Sequence, residues 1–203
     1  VEKAITERRR NILLAMATGT GKTFTVVNQI YRLMKAGVAK RVLFLVDRRS
    51  LAAQTVRAFS SFDAEQGLKF PDVYEVYSNR FRREDIEDDV DDKPFDPKII
   101  PTRYLTAPSS ETAFVYVATI QRMAINLYGR DAMAAAGDEV ADDDADEIDI
   151  PIHAFDLVVA DECHRGYTAA EQSVWRSTLD HFDAIRLGLT ATPAKHTAAY
   201  FSH

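Results

Sequence analysis

Residues 15–27 read AMATGTGKTFTVV, a glycine-rich turn with an apolar run on one side and a helical pattern on the other. The apolar run NILLAMA (11–17) has the length and continuity of a buried strand. In KTFTVVNQIYRLMKAG (22–37), apolar residues recur at helical spacing, and Gly37 is a typical C-terminal stop. A glycine-rich turn between a strand and a helix is typical of a phosphate-binding loop.

The composition of this loop suits a nucleoside triphosphate. Gly19 and Gly21 allow the backbone to curl so that its N–H groups point at phosphate oxygens. The N-terminus of the following helix adds a partial positive charge. Lys22 is predicted to reach the outer phosphates, and the Thr23 hydroxyl to bind Mg²⁺. The sequence therefore predicts an ATP and Mg²⁺ site made by Thr18, Gly19, Thr20, Gly21, Lys22 and Thr23.

The loop departs from the strict pattern Gly-x4-Gly-Lys-Thr at one position, where Met16 stands in place of glycine. The curl depends mainly on Gly19 and Gly21, so the predicted mechanism is retained. The alternative is a glycine-rich turn with an incidental lysine. The strand and helix patterns on either side favour the phosphate-binding loop.

An acidic pair ends the apolar run FDLVVAD (155–161) within VVADECHR. A carboxylate at the end of a buried strand is costly unless it meets a cation, and Mg²⁺ is the natural partner of Asp161. Glu162 is then placed to orient and deprotonate the attacking water. Taken alone, this Asp-Glu pair could be a simple cap; together with the phosphate-binding loop it predicts hydrolysis.

Cys163 and His164 follow the acidic pair and allow other interpretations, which we reject. A zinc site needs three or four ligands, and the remaining histidines show no ligand spacing. A Cys-His nucleophile is disfavoured because adjacent side chains on an extended chain point in opposite directions. His164 is predicted to be a polar relay near the γ-phosphate, with a solvent-facing histidine as the alternative.

The stretch GLTATP (188–193) supplies a third polar segment. Thr190 and Thr192 lie at the predicted carboxyl end of a strand, and Pro193 stops the strand. Their hydroxyls are short enough to sense a γ-phosphate through hydrogen bonds. By itself this stretch predicts only a turn.

Apolar runs and amphipathic patterns alternate along the chain. The predicted strands are 11–17, 41–46, 72–77, 113–119, 155–161 and 184–190, and the predicted helices are 22–37, 51–59 with Ser50 as its cap, 120–127 and 169–182. This alternation predicts an α/β fold, a three-layer α/β/α domain with a mostly parallel central sheet. Ligands of such sheets bind at the carboxyl ends of the strands, where the segments 17–23, 161–164 and 190–193 are expected to meet.

The chain is predicted to be one domain, 1–203, cut from a longer protein, with irregular insertions at 78–112 and 129–152. The net charge of −6 is concentrated in two acidic runs, 84–93 and 138–149. The other 181 residues hold 24 bases and 16 acids, so a nucleic-acid partner is compatible with the acidic total. A single cysteine and no long apolar run predict a cytoplasmic protein without a disulfide or a membrane span.

The motifs MATGTGKT, DECH and LTATP, in this order and spacing, resemble the first motor domain of superfamily 2 helicases and translocases. The flanking stretches resemble the restriction (R) subunit of bacterial type I restriction-modification enzymes. These stretches are VLFLVDRRSLAAQ, VYVATIQRM, FDLVVADECHRGY, WRSTLDHF and TAAYF. The resemblance covers nearly the whole chain apart from the acidic runs, and it implies a RecA-like nucleotide-hydrolase domain.

The resemblance also implies residue roles. Gly19, Gly21, Lys22 and Thr23 would bind ATP and Mg²⁺, and Asp161 and Glu162 would complete hydrolysis. Coupling of hydrolysis to motion would fall to Thr190, Ala191 and Thr192. DNA phosphates would be contacted by Arg48 or Arg49 and by Thr119 and Gln121. The alternative for the two arginines is a solvated helix start.

Members of this family work with further parts that this sequence lacks. The resemblance implies double-stranded DNA, a second RecA-like domain with an arginine finger, a nuclease domain, and modification and specificity subunits as partners. The adenine-reading glutamine would lie at or before Val1. The stretch Asp96-Pro97-Lys98 only imitates a nuclease motif, because it lies in a proline-broken region.

Two other functions remain open from the sequence. One is a different superfamily 2 motor, such as a type III restriction subunit, a repair helicase or an RNA helicase. The other is a binding module that switches with nucleotide without hydrolysing it. Glu162 argues against the switch, because a pure switch has no need of a base beside the metal-binding carboxylate.

Overall fold

The structure is a computed structural model and describes residues 1–17, 19–79, 97–135, 145–163 and 169–201. The strands in these residues are β1 Asn11–Ala15, β2 Arg41–Val46, β3 Asp63–Glu65, β4 Leu68–Lys69, β5 Glu75–Ser78, β6 Lys98–Ile99, β7 Phe114–Thr119, β8 Leu157–Asp161 and β9 Ile185–Thr190. The helices are α1 Glu2–Thr6, α2 Lys22–Lys35, α3 Arg49–Ser61, α4 Phe70–Val73, α5 Thr102–Thr106, α6 Ile120–Ala135, α7 Ala169–His181 and α8 Lys195–Phe201.

Among the described residues, seven strands form a parallel sheet in the order β1-β9-β8-β2-β7-β5-β6. The strands that precede the glycine-rich loop, the threonine turn and the acidic pair are therefore neighbours. Ala15 at the end of β1 lies opposite Thr190, and Asp161 at the end of β8 lies opposite Leu189. The predicted meeting of these segments at one edge of the sheet is confirmed.

Helices cover both faces of the sheet, as the alternation of β2 side chains makes clear. Phe44 belongs to a buried cluster that includes Phe59 of α3. Its neighbours Leu43 and Leu45 belong to a second cluster that includes Trp175 of α7. Successive residues of a strand point to opposite faces, so one cluster lies on each side of the sheet. The predicted three-layer α/β/α fold with a parallel sheet is confirmed.

The regions predicted to be irregular insertions contain regular elements in their described parts. Within 78–112, β6 pairs with the end of β5, and α5 follows Pro101. A two-residue strand has no periodicity to detect, and the prolines around it favour a loop in any local pattern. Within 129–152, α6 continues to Ala135 across a non-helical Gly129, with φ 79° and ψ 166°.

The start of α3 differs from the sequence prediction. The helix begins at Arg49, with Arg48 as an extended N-cap residue at φ −137° and ψ 155°. Ser50 therefore lies inside the first turn and is not the cap. The short link from β2, which ends at Val46, brings the helix start forward.

A carboxylate ties the amino ends of β2 and β8 together. Asp156 accepts hydrogen bonds from the N–H groups of Lys40 (3.0 Å) and Arg41 (2.8 Å) and from the Arg41 guanidinium (2.7 Å). Burial acts to raise the pKa of Asp156, but these hydrogen bonds outweigh it and hold the pKa below its usual value. The contact joins β8 to β2 at the end of β8 opposite the acidic pair.

In the part of the chain that the structure describes, every helix is too short or too polar to cross a membrane.

Candidate active site

The glycine-rich loop leaves β1 and enters α2 through left-handed glycines. Gly19 and Gly21 have φ values of 80° and 79°, and no heavy atom lies within 4 Å of the position that a Cβ would take in either residue. The glycines are thus required by backbone conformation and not by lack of space. Thr20 donates its hydroxyl hydrogen to the carbonyl oxygen of Ala17 at 2.7 Å, which closes the loop internally. Thr18 lies outside the described residues.

The loop is anchored to the next strand of the sheet. The N–H of Met16 donates to the carbonyl oxygen of Thr190 at 2.9 Å, so the β1–β9 pairing extends one residue past β1. Position 16, where the strict pattern has glycine, therefore belongs to the strand pairing. The helix that follows begins at Lys22, and its N-cap, Gly21, offers no side chain to the first-turn N–H groups. Such N–H groups are a suitable site for phosphate oxygens.

Lys22 joins the loop to the acidic pair. Its Nζ lies 3.1 Å from Oδ1 of Asp161 and forms a close hydrogen-bonded ion pair with Oε1 of Glu162. The three side chains are largely buried, with exposed fractions of 13%, 11% and 20% respectively. The sequence placed these residues in one site, and the structure brings them into direct contact.

Burial and charge set the protonation of this cluster. Burial acts to lower the pKa of Lys22, but the hydrogen bond to Glu162 and the charge of Asp161 outweigh it, so the pKa is raised and the ammonium is retained. Burial raises the pKa of Asp161, and the Lys22 charge opposes that effect. A buried carboxylate of this kind is stabilised by a cation, and carboxylate oxygens are ligands that suit Mg²⁺.

The backbone of Glu162 is unusual. Its φ is 52°, in the left-handed region that non-glycine residues seldom occupy. Its N–H donates to Oδ1 of Asp161 at 2.9 Å, and the next N–H, that of Cys163, donates to the carbonyl oxygen of Leu189 at 3.2 Å. Positive φ in a non-glycine residue persists where the surroundings hold it, and such residues concentrate at functional sites.

The surroundings of Cys163 favour the neutral thiol. Burial, together with the charge of Asp161, raises its pKa to about 12. This agrees with the rejection of a Cys-His nucleophile. His164 lies outside the described residues.

The threonine turn lies beside the acidic pair at the end of β9. Thr190 is fully buried, and its hydroxyl oxygen accepts the N–H of Thr192 at 3.1 Å. Thr190 therefore shapes the turn, whereas the exposed Thr192 projects from it and Ala191 between them is half-buried.

The predicted DNA-contact residues lie along the same edge of the sheet, because the end of β2 pairs with the end of β7 at Val46 and Thr119. Arg48 is exposed and lies 3.4 Å from a carboxylate oxygen of Asp47. Arg49 and Gln121 are half-buried. Thr119 is 5% exposed.

The hydroxyl of Thr119 already has a structural partner. Its oxygen accepts the N–H of Arg122 at 3.2 Å, which caps the first turn of α6.

The environment of Cys163 was not foreseen from the sequence. Its thiol lies against Gly188 of β9 and lines a cavity with Phe201 of α8. The one sequence signal was the stretch TAAYF (197–201), which carried no chemistry of its own.

Comparison with known proteins identifies the relatives of this chain. A family model described as "Type III restriction enzyme, res subunit" matches residues 1–195. The type I restriction enzyme EcoKI endonuclease subunit of Escherichia coli (strain K12) is 33% identical over 216 residues, which cover 99% of this chain and 15% of that protein. The EcoAI endonuclease subunit of Escherichia coli is 33% identical over 197 residues, which cover 94% and 18%. The chain thus spans less than a fifth of the length of these relatives.

Two solved structures share the fold. A nuclease-deletion mutant of the type ISP restriction-modification enzyme LlaGI, in complex with a DNA substrate mimic, has a TM-score of 0.55 at 19% identity. The match covers 95% of this chain and 16% of that chain. The UvsW helicase from bacteriophage T4 has a TM-score of 0.52 at 15% identity, covering 98% of this chain and 54% of that chain. These likenesses confirm the predicted RecA-like α/β fold.

Proposed function

This chain belongs to the family described as "Type III restriction enzyme, res subunit", and on that premise we propose that it is an ATP-dependent motor domain acting on double-stranded DNA. We further propose that it serves in the restriction (R) subunit of a type I restriction endonuclease. The motor proposal is carried by the direct contact of Lys22 with Asp161 and Glu162 beside the glycine-rich loop. The type I assignment is supported by the 33% identity to the EcoKI and EcoAI endonuclease subunits.

In the proposed reaction, the loop 18–23 holds the phosphates of ATP through backbone N–H groups and the start of α2. Thr23 and Asp161 would hold Mg²⁺, which when bound neutralises charge on the outer phosphates. The Lys22 ammonium would move from the carboxylates toward the γ-phosphate. This movement frees the Glu162 carboxylate to accept a proton from the attacking water.

Coupling to DNA rests on the residues at the same edge of the sheet. Thr190, Ala191 and Thr192 would respond to the state of the γ-phosphate together with His164. Arg48, Arg49, Thr119 and Gln121 would contact the phosphate backbone, which carries no sequence information. The basic balance outside the two acidic runs supports a polyanionic track.

Partners of the proposed motor follow from family and length. A second RecA-like domain would close over the ATP site and bring the arginine that stabilises the transition state, an effect worth about 10³ to 10⁵ in rate in related hydrolases. The relatives are several times longer than this chain, which leaves room for that domain and for a nuclease domain. Modification and specificity subunits would read the recognition sequence.

The test is ATP hydrolysis by the full-length protein with no nucleic acid, linear duplex DNA, single-stranded DNA or RNA. Duplex DNA is expected to stimulate turnover, and both Lys22→Ala and Glu162→Gln are expected to abolish the stimulation. Lys35→Ala, at the far end of the same helix, is the matched control and should leave turnover unchanged. Stimulation by RNA or single strands alone would favour a helicase instead. ATP binding without stimulation by any polymer would favour a nucleotide switch.

A further inference from the structure

The segment after the threonine turn packs against the back of the acidic pair. Phe201, the last residue of α8, is 7% exposed, and its ring lies directly on Gly188 of β9. A Cβ built on Gly188 would lie 2.5 Å from Cζ of Phe201 and 3.0 Å from Sγ of Cys163. The aromatic ring and the thiol therefore occupy the space where any other residue at 188 would place its side chain.

The packing around Gly188 is linked to Glu162 through the next residue in the chain, Cys163. The N–H of Cys163 donates to the carbonyl oxygen of Leu189, and its thiol lies over Gly188, where it packs against the buried cluster that contains Phe201. Glu162 has the positive φ described above, a conformation that relaxes unless the flanking residues hold it. Asp161 holds Glu162 from the N-terminal side through Oδ1, and Cys163 holds it from the C-terminal side.

A side-chain hydrogen bond ties α8 to α7. Tyr200 donates its hydroxyl hydrogen to Asp180 of α7 at 2.6 Å. By contrast, the buried Oγ1 of Thr197 and Nε2 of His196 have no hydrogen-bond partner among the described residues, and both residues line the cavity beside Cys163. Thr197 and Phe201 are nevertheless buried, so packing against the sheet contributes to the position of α8.

We propose that Phe201 is a positioning residue for ATP hydrolysis. Its ring, seated on Gly188 beside the Cys163 thiol, holds Glu162 so that the carboxylate faces the attacking water. A shift of α8 therefore changes turnover while leaving the phosphate contacts of Lys22 intact. This inference rests on the proposed function of Glu162. It adds that a force on α8, which follows the threonine turn, would change the position of the Glu162 carboxylate.

The test compares four variants of the full-length protein: Phe201→Leu, Gly188→Ala, the two combined, and Lys195→Ala. The first two variants are expected to lower kcat for ATP hydrolysis by between about tenfold and 10²-fold, the scale of a 1 Å misplacement of a catalytic group. The dissociation constant for Mg·ATP should change by less than about twofold, because the phosphate site is untouched. The double variant should recover part of the loss, since leucine leaves room for the alanine methyl group.

Lys195→Ala is the matched control on the same helix. It removes an exposed side chain at the start of α8 without touching Gly188 or the hydrogen bond of Tyr200 to Asp180, so kcat should be unchanged. Urea unfolding of each variant separates positioning from stability. Three results would each overturn the inference. They are an unchanged kcat in Phe201→Leu and Gly188→Ala, losses of kcat that simply follow the unfolded fraction, and strictly additive losses of kcat in the double variant. Turnover that requires Glu162 but not Phe201 would sink this inference alone, whereas turnover that survives Glu162→Gln would sink the proposed function itself.

Discussion

Replacing Lys22 by methionine tests the charge cluster most directly. Methionine keeps the aliphatic stem of the lysine and removes the ammonium, so Asp161 and Glu162 are left side by side without their cation. Breaking a buried ion pair by removing one partner costs about 3–5 kcal/mol. The three side chains retain some exposure, so we expect a loss near the low end, about 3 kcal/mol in the free energy of unfolding.

The pH dependence of that loss has a defined sign. In the wild type the pKa of Lys22 is raised, so its stabilising contribution is complete below the unfolded pKa of about 10.4 and is lost only as pH rises through the higher folded value. In the variant the pKa of Asp161 rises further, because burial and the charge of Glu162 are no longer opposed by the charge of Lys22. The deficit is therefore largest at neutral pH and shrinks as pH falls from the raised folded pKa of Asp161 toward its unfolded value of about 3.9.

The assay is urea unfolding at pH 7.5 and pH 4.5, with Lys35→Met as the control. Lys35 lies on the same helix and pairs with Glu65 at 2.8 Å on the surface, so its loss should not measurably change stability. A second charge removal, Glu162→Gln, should restore part of the stability of Lys22→Met. Equal stability of Lys22→Met and wild type at pH 7.5, or a deficit that is the same at both pH values, would refute the account of the cluster.

Three further changes test the scaffold of the site. Gly21→Ala places a side chain on a residue whose φ is 79°. We expect the free energy of unfolding to fall by about 1–2 kcal/mol and Mg·ATP to bind more weakly. An unchanged dissociation constant for Mg·ATP in a fluorescence titration would contradict the role of the loop. Asp156→Asn weakens the contact with Arg41 and should lower the unfolding free energy by about 1–2 kcal/mol. Because the pKa of Asp156 is lowered in the folded state, this difference is complete above the unfolded pKa of about 3.9 and is lost as pH falls through the lower folded value. Urea titrations at pH 7 and pH 3 check it, and equal stability at pH 7 would rule it out. Thr119→Val removes the acceptor for the N–H of Arg122 and should lower the free energy of unfolding by about 1 kcal/mol. Thr119→Ser should restore that loss. A valine variant as stable as wild type in thermal unfolding would show that the cap contributes nothing.

Local patterns were sufficient for the elements that carry the site. β1, β8 and β9 are apolar runs that end at a glycine-rich turn, an acidic pair and a proline turn, so their type and order could be predicted from neighbours in sequence. β6 could not be predicted in this way. It is a strand only because the edge of β5 offers partners to Lys98 and Ile99, and that edge comes from a distant part of the chain.

The sequence by itself determined which residues could bind phosphate, hold Mg²⁺ and activate water, because those roles follow from side-chain chemistry and from a glycine loop at a helix start. The tertiary structure alone decided that Lys22 meets Asp161 and Glu162, which are about 140 residues further along the chain. It also decided that the Phe201 ring and the Cys163 thiol both lie over Gly188. These contacts depend on the strand order β1-β9-β8 and on the packing of α8, which are set by long-range burial and hydrogen bonding between elements and leave no periodic signal in the sequence.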